Sequence, residues 1–249
     1  MSETDSNRWI VVTGASSGIG AETSKMLLAS GYSVVAAARR ESELEMLYGD
    51  EQNALVMPWD LSDRSSIGDF AKATRDRIGP IRGLVHCAGM ERTLPVHMTK
   101  ISKIEDVFAL NTYAAMCLVG AFSRKGMATV AASFILISSL AAHEGAPGKS
   151  IYAASKSALE GFACAAAAEL SERGIRINCV APGVVETRMV SGFIEQLTDG
   201  QRSALLDGYP FGIGRPEDVA SFITYLVSDK ARWLTGQTFI LDGGHLTRA

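Results

Sequence analysis

The chain has 249 residues, 47% of them hydrophobic and 20% charged, a composition that supports one large folded domain and excludes an intrinsically disordered chain. Its formal net charge of -3 leaves no basic excess for neutralising phosphates, so no nucleic-acid partner is expected. Met1 to Asn7 are polar, and no later run approaches the roughly 18 continuous apolar residues of a membrane span; no membrane partner and a cytoplasmic location are expected. The cysteines Cys87, Cys117, Cys164 and Cys179 lie far apart without a CxxC pair, and they read as reduced, mostly buried thiols with no metal site.

In chain order, short apolar runs alternate with helical patterns. Strands are predicted over Trp9 to Thr13, Ser33 to Ala38, Ala54 to Pro58, Ile81 to Cys87, Ser133 to Ser138, Ile175 to Val180 and Gln237 to Leu241. Between them, helices are predicted near Ile19 to Ser30, Glu41 to Leu47, Asp63 to Arg77, Ser102 to Met127, Tyr152 to Arg173 and Pro216 to Ser228. Such alternation predicts an α/β fold whose parallel sheet is flanked by crossover helices. The alanine-rich run from Ala163 to Ala168 falls inside a helix, where small side chains suit close packing, including packing between subunits. The longest stretch without a strand, Pro182 to Arg215, is rich in glycine and carries Met189, Phe193, Leu197 and Phe211; a substrate lid is expected at about 187–214.

Directly after the first strand comes Thr13-Gly14-Ala15-Ser16-Ser17-Gly18-Ile19-Gly20, leading into a helix. Glycines there let a pyrophosphate approach the backbone, and the helix N-terminus offers free N–H groups and the positive end of the dipole. About 20 residues on, where dinucleotide folds read the ribose 2′ position, the chain has Ala38, Arg39 and Arg40. Arginine suits the 2′-phosphate of NADP(H), whereas an acidic residue would have suited NAD(H); NADP(H) is therefore the expected cofactor and NAD(H) the alternative. Ser17 could add a hydroxyl to the same phosphate. Tyr152 and Lys156 share one helical face, and an ammonium beside a tyrosine favours its phenolate. Ser138 and Ser139 end a strand at the sheet edge where ligands bind, and either hydroxyl could hold a substrate oxygen.

Together these residues resemble the short-chain dehydrogenase/reductase family, from Thr13 to Gly244. The resemblance implies a single-domain, doubly wound Rossmann fold over residues 1–249 with a seven-stranded parallel sheet. It implies Asn111, Ser139, Tyr152 and Lys156 as catalytic residues, the spacing to Tyr152 choosing Ser139 over Ser138. Cofactor contacts are implied at Gly14, Ser16, Ser17, Gly18, Ile19, Gly20, Arg39, Arg40, Asp60, Leu61, Ala88, Gly89, Tyr152, Lys156, Pro182, Gly183, Val185 and Thr187. Gly236-Gln237, Asp242-Gly243-Gly244 and the turn Arg215-Pro216-Glu217-Asp218 extend the likeness, which within the family is nearest to 3-oxoacyl-[acyl carrier protein] reductases. One segment departs: where the family has Asn-Asn-Ala-Gly, this chain has His86-Cys87-Ala88-Gly89, so the amide that ties neighbouring strands is missing and His86 reads as a strand-end polar residue. The implied activity is hydride transfer between NADP(H) and a carbonyl or secondary-alcohol substrate, an acyl thioester included, by a homotetramer or homodimer. The alternatives are an NAD-dependent alcohol or sugar dehydrogenase and a catalytically silent nucleotide-binding subunit.

Overall fold

The computed structural model describes residues 8–195 and 197–247. Its strands are β1 (Trp9–Thr13), β2 (Ser33–Ala38), β3 (Ala54–Pro58), β4 (Ile81–His86), β5 (Ala128–Ile137), β6 (Arg176–Pro182) and β7 (Thr238–Leu241), all parallel in the order β3-β2-β1-β4-β5-β6-β7. The α-helices among the described residues are α1 (Gly18–Ala29), α2 (Glu41–Tyr48), α3 (Ile67–Ile78), α4 (Ile101–Phe108), α5 (Ala114–Phe122), α6 (Ser150–Ser171), α7 (Arg188–Ile194), α8 (Asp199–Asp207) and α9 (Pro216–Val227). This is the doubly wound, seven-stranded α/β fold that the alternation and the resemblance imply.

Central strands are apolar on both faces because helices cover both, and successive side chains enter opposite cores. Ile10, Val12, Val34, Ala36, Val85 and Ile135 pack with Leu27, Leu44, Val219 and Ile223 from α1, α2 and α9. Val11, Val35, Leu84 and Phe134 pack with Phe70, Leu118, Phe122 and Leu159 from α3, α5 and α6. A slip of one residue would exchange the two sets, so burial fixes the register Val34↔Ile10↔Gly83 that seats β1 between β2 and β4.

Several elements depart from the sequence reading. β5 begins at Ala128, because its pairing with β4 jumps from Ile81↔Ala128 to Gly83↔Ser133 around Ala131, which is held at φ 64° with its carbonyl accepting from Arg82. An alanine in the left-handed region carries no sequence signature. The helix expected over Ser102 to Met127 is α4, a widened π turn at Ala109–Tyr113, and α5, with Met127 already in the turn before β5. By length and composition Ile101–Phe122 could cross a membrane, yet α4 packs on α6 while α5 packs on α3, β4 and β5. The thiols differ too: Cys179 is buried and Cys87 half-buried, but Cys117 and Cys164 are exposed on the outer faces of α5 and α6.

His86 replaces the missing amide as a tie rather than ending a strand idly. Fully buried, it places Nδ1 3.0 Å from Thr13 Oγ1 and Nε2 3.3 Å from Leu110 O, while Ala88 N donates to Thr13 Oγ1 at 3.2 Å. A neutral ring protonated on Nε2 satisfies every group: it donates to Leu110 O and accepts from the Thr13 hydroxyl, which accepts from Ala88. β1, β4 and the π turn thus meet on one imidazole. Burial, reinforced by the nearby Lys156 ammonium, holds His86 far below the usual range, at about 3.

The consequence is a pH-dependent stability. The unfolded chain protonates His86 near pH 6.5 and the folded chain only near 3, so between these values the unfolded state binds more protons and acid destabilises the fold. The expected slope is up to ~1.4 kcal/mol per pH unit. Urea denaturation at about pH 7.5 and about pH 4.5 should show a larger loss for wild type than for His86→Asn, which has nothing to titrate; equal losses would refute the assignment.

Candidate active site

β1 turns into a loop that only glycine permits at two points. Gly14 and Gly18 have φ of +68° and +56°, and a Cβ on Gly14 would lie 2.8 Å from Ala88 N. A Cβ on Gly20 would meet Gly14 O at 2.4 Å, so the loop is folded tightly on itself and on the end of β4. Beneath it, buried Tyr48 of α2 donates to Ala15 O at 2.7 Å, and burial pushes its phenol up to about 12. Ser17 is the N-cap of α1, yet its side chain caps nothing and the first turn holds no acidic residue. The leading N–H groups and the positive dipole end therefore stand without a protein counter-charge beside a cleft of about 510 Å³. That arrangement fits the diphosphate of a nicotinamide dinucleotide.

At the end of β2, Arg39 is exposed at the cleft, and its charge reaches Asp60. Arg40 also lines the cleft but is engaged, 2.7 Å from Glu43 and donating to Ser16 Oγ at 3.3 Å. Asp60 accepts from Ser62 N and Ser62 Oγ at 3.0 and 2.7 Å, bonds that lower its pKa. Leu61 beside it is buried.

The candidate reactive groups follow β5 and lie on α6. Ser138 turns away from chemistry: its hydroxyl donates to Glu160 Oε1 at 2.5 Å, with Lys156 O at 3.3 Å. Ser139 caps the short turn Leu140–Ala142, accepting from Ala141 N at 3.2 Å, and its hydroxyl is near enough to the Tyr152 phenol to lower its pKa. Burial raises the Tyr152 pKa more than the nearby Ser139 hydroxyl lowers it, so the group rests as a phenol. Lys156 Nζ lies 5.8 Å from the centroid of the Tyr152 ring. Lys156 is 4% exposed, donates to Ile137 O at 2.8 Å, and is brought down by burial to about 8. Gly89 keeps this corner open, since a Cβ there would stand 3.4 Å from Lys156 Nζ and 3.2 Å from Asn111 Oδ1.

Every sequence-derived cofactor and catalytic residue lines the cleft except Asn111. Asn111 is buried in the π turn, accepts from Met90 N at 2.8 Å and donates to Met90 O at 2.9 Å and Ser155 Oγ at 3.0 Å. Both amide protons are committed to protein acceptors, which makes it a tie between the loop after β4 and α6. Pro182, Gly183, Val185 and Thr187 follow β6 along the cleft. A bridge between Val185 and Gly214 closes the neck of the excursion that carries α7 and α8. The side chains of Met189 and Phe193 lie outside the described set; Phe211, expected to cover a ligand, is 90% exposed, and Leu205 and Tyr209 line the cleft instead.

The sequence reading missed Glu91, Glu144, Lys149 and Tyr209, which also line the cleft. Lys149 pairs with Glu91, and His245 places its ring nitrogens 2.9 Å from Glu144 Oε2 and 2.9 Å from Gly208 O while stacking on Tyr209 at 4.5 Å. Tyr209 in turn accepts from Val184 N at 3.1 Å. The Tyr-x-x-x-Lys spacing was the only local signal nearby; these partners converge from separate loops.

A family model described as enoyl-(acyl carrier protein) reductase matches residues 14–245. The chain is 32% identical over 238 residues to the 3-oxoacyl-[acyl-carrier-protein] reductase FabG of Escherichia coli, covering 94% of this chain and 95% of that protein. It is 29% identical over 257 residues to the L-2,3-butanediol dehydrogenase of Corynebacterium glutamicum, covering 95% and 97%. A solved structure of a putative short-chain alcohol dehydrogenase from Sinorhizobium meliloti superposes with a TM-score of 0.89 at 29% identity, covering 96% of each chain.

The two serines make separable predictions. Ser139→Ala should lower turnover by about 10²-fold with little change in melting, because its hydroxyl faces Tyr152. Ser138→Ala should chiefly reduce stability by about 1 kcal/mol, because its hydroxyl serves Glu160. Steady-state rates with thermal melts on both variants check this, and the reverse pattern would sink it.

Proposed function

The chain belongs to the short-chain dehydrogenase/reductase family, oxidoreductases acting on CH–OH and C=O groups, and from that premise we propose that it works with NADP(H) on a carbonyl or secondary-alcohol substrate. The observation that carries this reading is one cleft holding the uncapped α1 N-terminus, the Ser139 and Tyr152 hydroxyls and the buried Lys156 ammonium. When bound, the nicotinamide supplies or accepts the hydride. In the reductive direction Ser139 and Tyr152 donate hydrogen bonds to the carbonyl oxygen, and the Tyr152 proton passes to that oxygen as negative charge develops on it. Burial keeps the proton on Tyr152 until then. Lys156, close to the ring, favours the phenolate left behind and has donors beyond Ile137 O for ribose hydroxyls. Asn111 acts as a positioning residue through Met90 and Ser155.

Arg39 supports the choice of NADP(H): it is exposed at the cleft, whereas Arg40 is occupied by Glu43 and Ser16. The α7–α8 excursion, hinged at the Val185–Gly214 bridge, is our candidate for the lid at 187–214. Self-association, as a homotetramer or failing that a homodimer, is supported by the exposed small residues Cys117 and Gly120 on α5 and Gly161, Cys164, Ala165 and Ala168 on α6.

Tyr152→Phe should bind NADPH nearly as wild type does while turnover falls about 10²- to 10⁴-fold; titration of nucleotide fluorescence and single-turnover rates measure the two separately. Retained turnover on a substrate whose hydride step limits the rate would defeat the reading. Replacing Ala38 by Asp and Arg39 by Gln should move preference from NADPH toward NADH, read as the ratio of kcat/KM for the two nucleotides. Tighter NADH than NADPH binding by wild type at matched ionic strength would defeat the cofactor assignment.

A further inference from the structure

The part of the cleft beside Tyr152 is walled by charge. Glu91 follows Met90, whose N–H and C=O are both held by the Asn111 side chain, at 2.8 and 2.9 Å, so its backbone is fixed to the π turn. Its Oε1 pairs with the Lys149 ammonium, which also donates to Thr93 Oγ1 at 3.1 Å. Lys149 stands one turn before Tyr152, at the start of α6, and Leu94 N donates to Gly148 O at 2.8 Å across the same junction. Both side chains are mostly withdrawn from water, 26% exposed for Glu91 and 15% for Lys149, and both residues line the cleft with Ser139 and Tyr152.

A carboxylate held this way keeps acceptor sites that one ammonium leaves over. An alkyl chain laid against the pair would remove water from both ions and return no hydrogen bond, which is unfavourable. A hydroxyl beside the reacting carbonyl replaces that water with a charge-assisted hydrogen bond. We propose that Glu91 selects the substrate, favouring a short carbonyl compound with a hydroxyl on the adjacent carbon, and a vicinal diol as its alcohol form, over an alkyl ketone or a long acyl chain. This rests on the reading of the cleft as a carbonyl–alcohol oxidoreductase site. Glu91 takes no proton in the reaction: reduction forms a C–H bond with the incoming hydride and an O–H bond with the Tyr152 proton, and the α-hydroxyl stays intact.

The test compares NADPH-dependent reduction of 3-hydroxy-2-butanone with that of 3-methoxy-2-butanone, whose ether keeps the inductive pull but has no donor, and with 2-butanone. Wild type should prefer the hydroxyketone by about 10- to 100-fold in kcat/KM, and Glu91→Ala should collapse that ratio mainly through KM. A purely structural role for the Glu91–Lys149 pair would lower all three substrates together and leave the ratio intact. Isosteric Glu91→Gln carries the same comparison if the alanine variant melts early. A wild-type ratio near one, or a ratio unmoved in both variants, overturns the proposal while leaving the oxidoreductase reading standing. Failure of wild type to reduce any ketone, or to oxidise any secondary alcohol, with either nucleotide overturns that reading and the proposal with it.

Discussion

The reversal of winding between β1 and β4 is the constraint on which the rest depends. Chain leaving β1 forms the glycine loop and α1 on one face of the sheet, while chain leaving β4 heads toward α4 on the other, so a crevice opens where the strand order turns. Two strands whose continuations diverge need a tie at their ends, and the His86–Thr13–Ala88 chain of hydrogen bonds provides it. One wall of the cleft hangs from strand ends: the loop of Gly14 from β1, Ala88 and Gly89 from β4, Ser139 from β5, and Gly183 from β6. Backbone there has no further strand to bond to, which is why it is available to a ligand.

The buried charges follow from the same geometry. Lys156 and His86 are both withdrawn from water and feel one another, and two cations so placed would repel. A neutral His86 removes the conflict, leaving the corner with one charge, on the lysine. The neutral ring protonated on Nε2 also uses both its nitrogens, accepting from the Thr13 hydroxyl and donating to Leu110 O. An asparagine at this point could tie strands without any question of charge, so the histidine makes the strength of the tie depend on pH. The phenol of Tyr152 rests in the same dry environment, which favours its protonated form and would suit the proton donor proposed above.

Much of this was legible in the sequence, and what was not has identifiable reasons. β1, β2 and β3 fall at their predicted residues because uninterrupted apolar runs bounded by turn residues determine a strand covered on both faces. The start of β5 was hidden because its irregularity rests on Ala131, a residue type that gives no warning of a positive φ. The π turn was hidden because one extra residue in a helix hardly disturbs the hydrophobic period, though it alters which carbonyl is left for His86 and where Asn111 points. Motif spacing found Tyr152 and Lys156 since both lie on one helix. It could not find Glu91, Glu144 or Tyr209, since a wall built from separate loops has no spacing to read. The exposed thiols were misread for a related reason: Cys117 and Cys164 are apolar by type, and only the orientation of α5 and α6 shows which side they take.

Helix α6 brings these threads to one element. Lys149 at its cap, then Tyr152, Lys156 and Glu160, descend along one side at helical spacing, and three of them are anchored to different parts of the fold: Lys149 to the loop after β4, Lys156 to the end of β5, and Glu160 to Ser138 and His143. Rotation of the helix would break all of these contacts together, so its orientation about its own axis is determined far more tightly than packing of small residues alone could achieve. Further along the helix, Cys164, Ala165 and Ala168 are exposed and make no comparable demand. The small exposed side chains leave the helix angle to be set by the anchored residues alone. Substitutions at those exposed positions would leave the anchoring contacts intact, while those at Lys149, Lys156 or Glu160 would break them one by one.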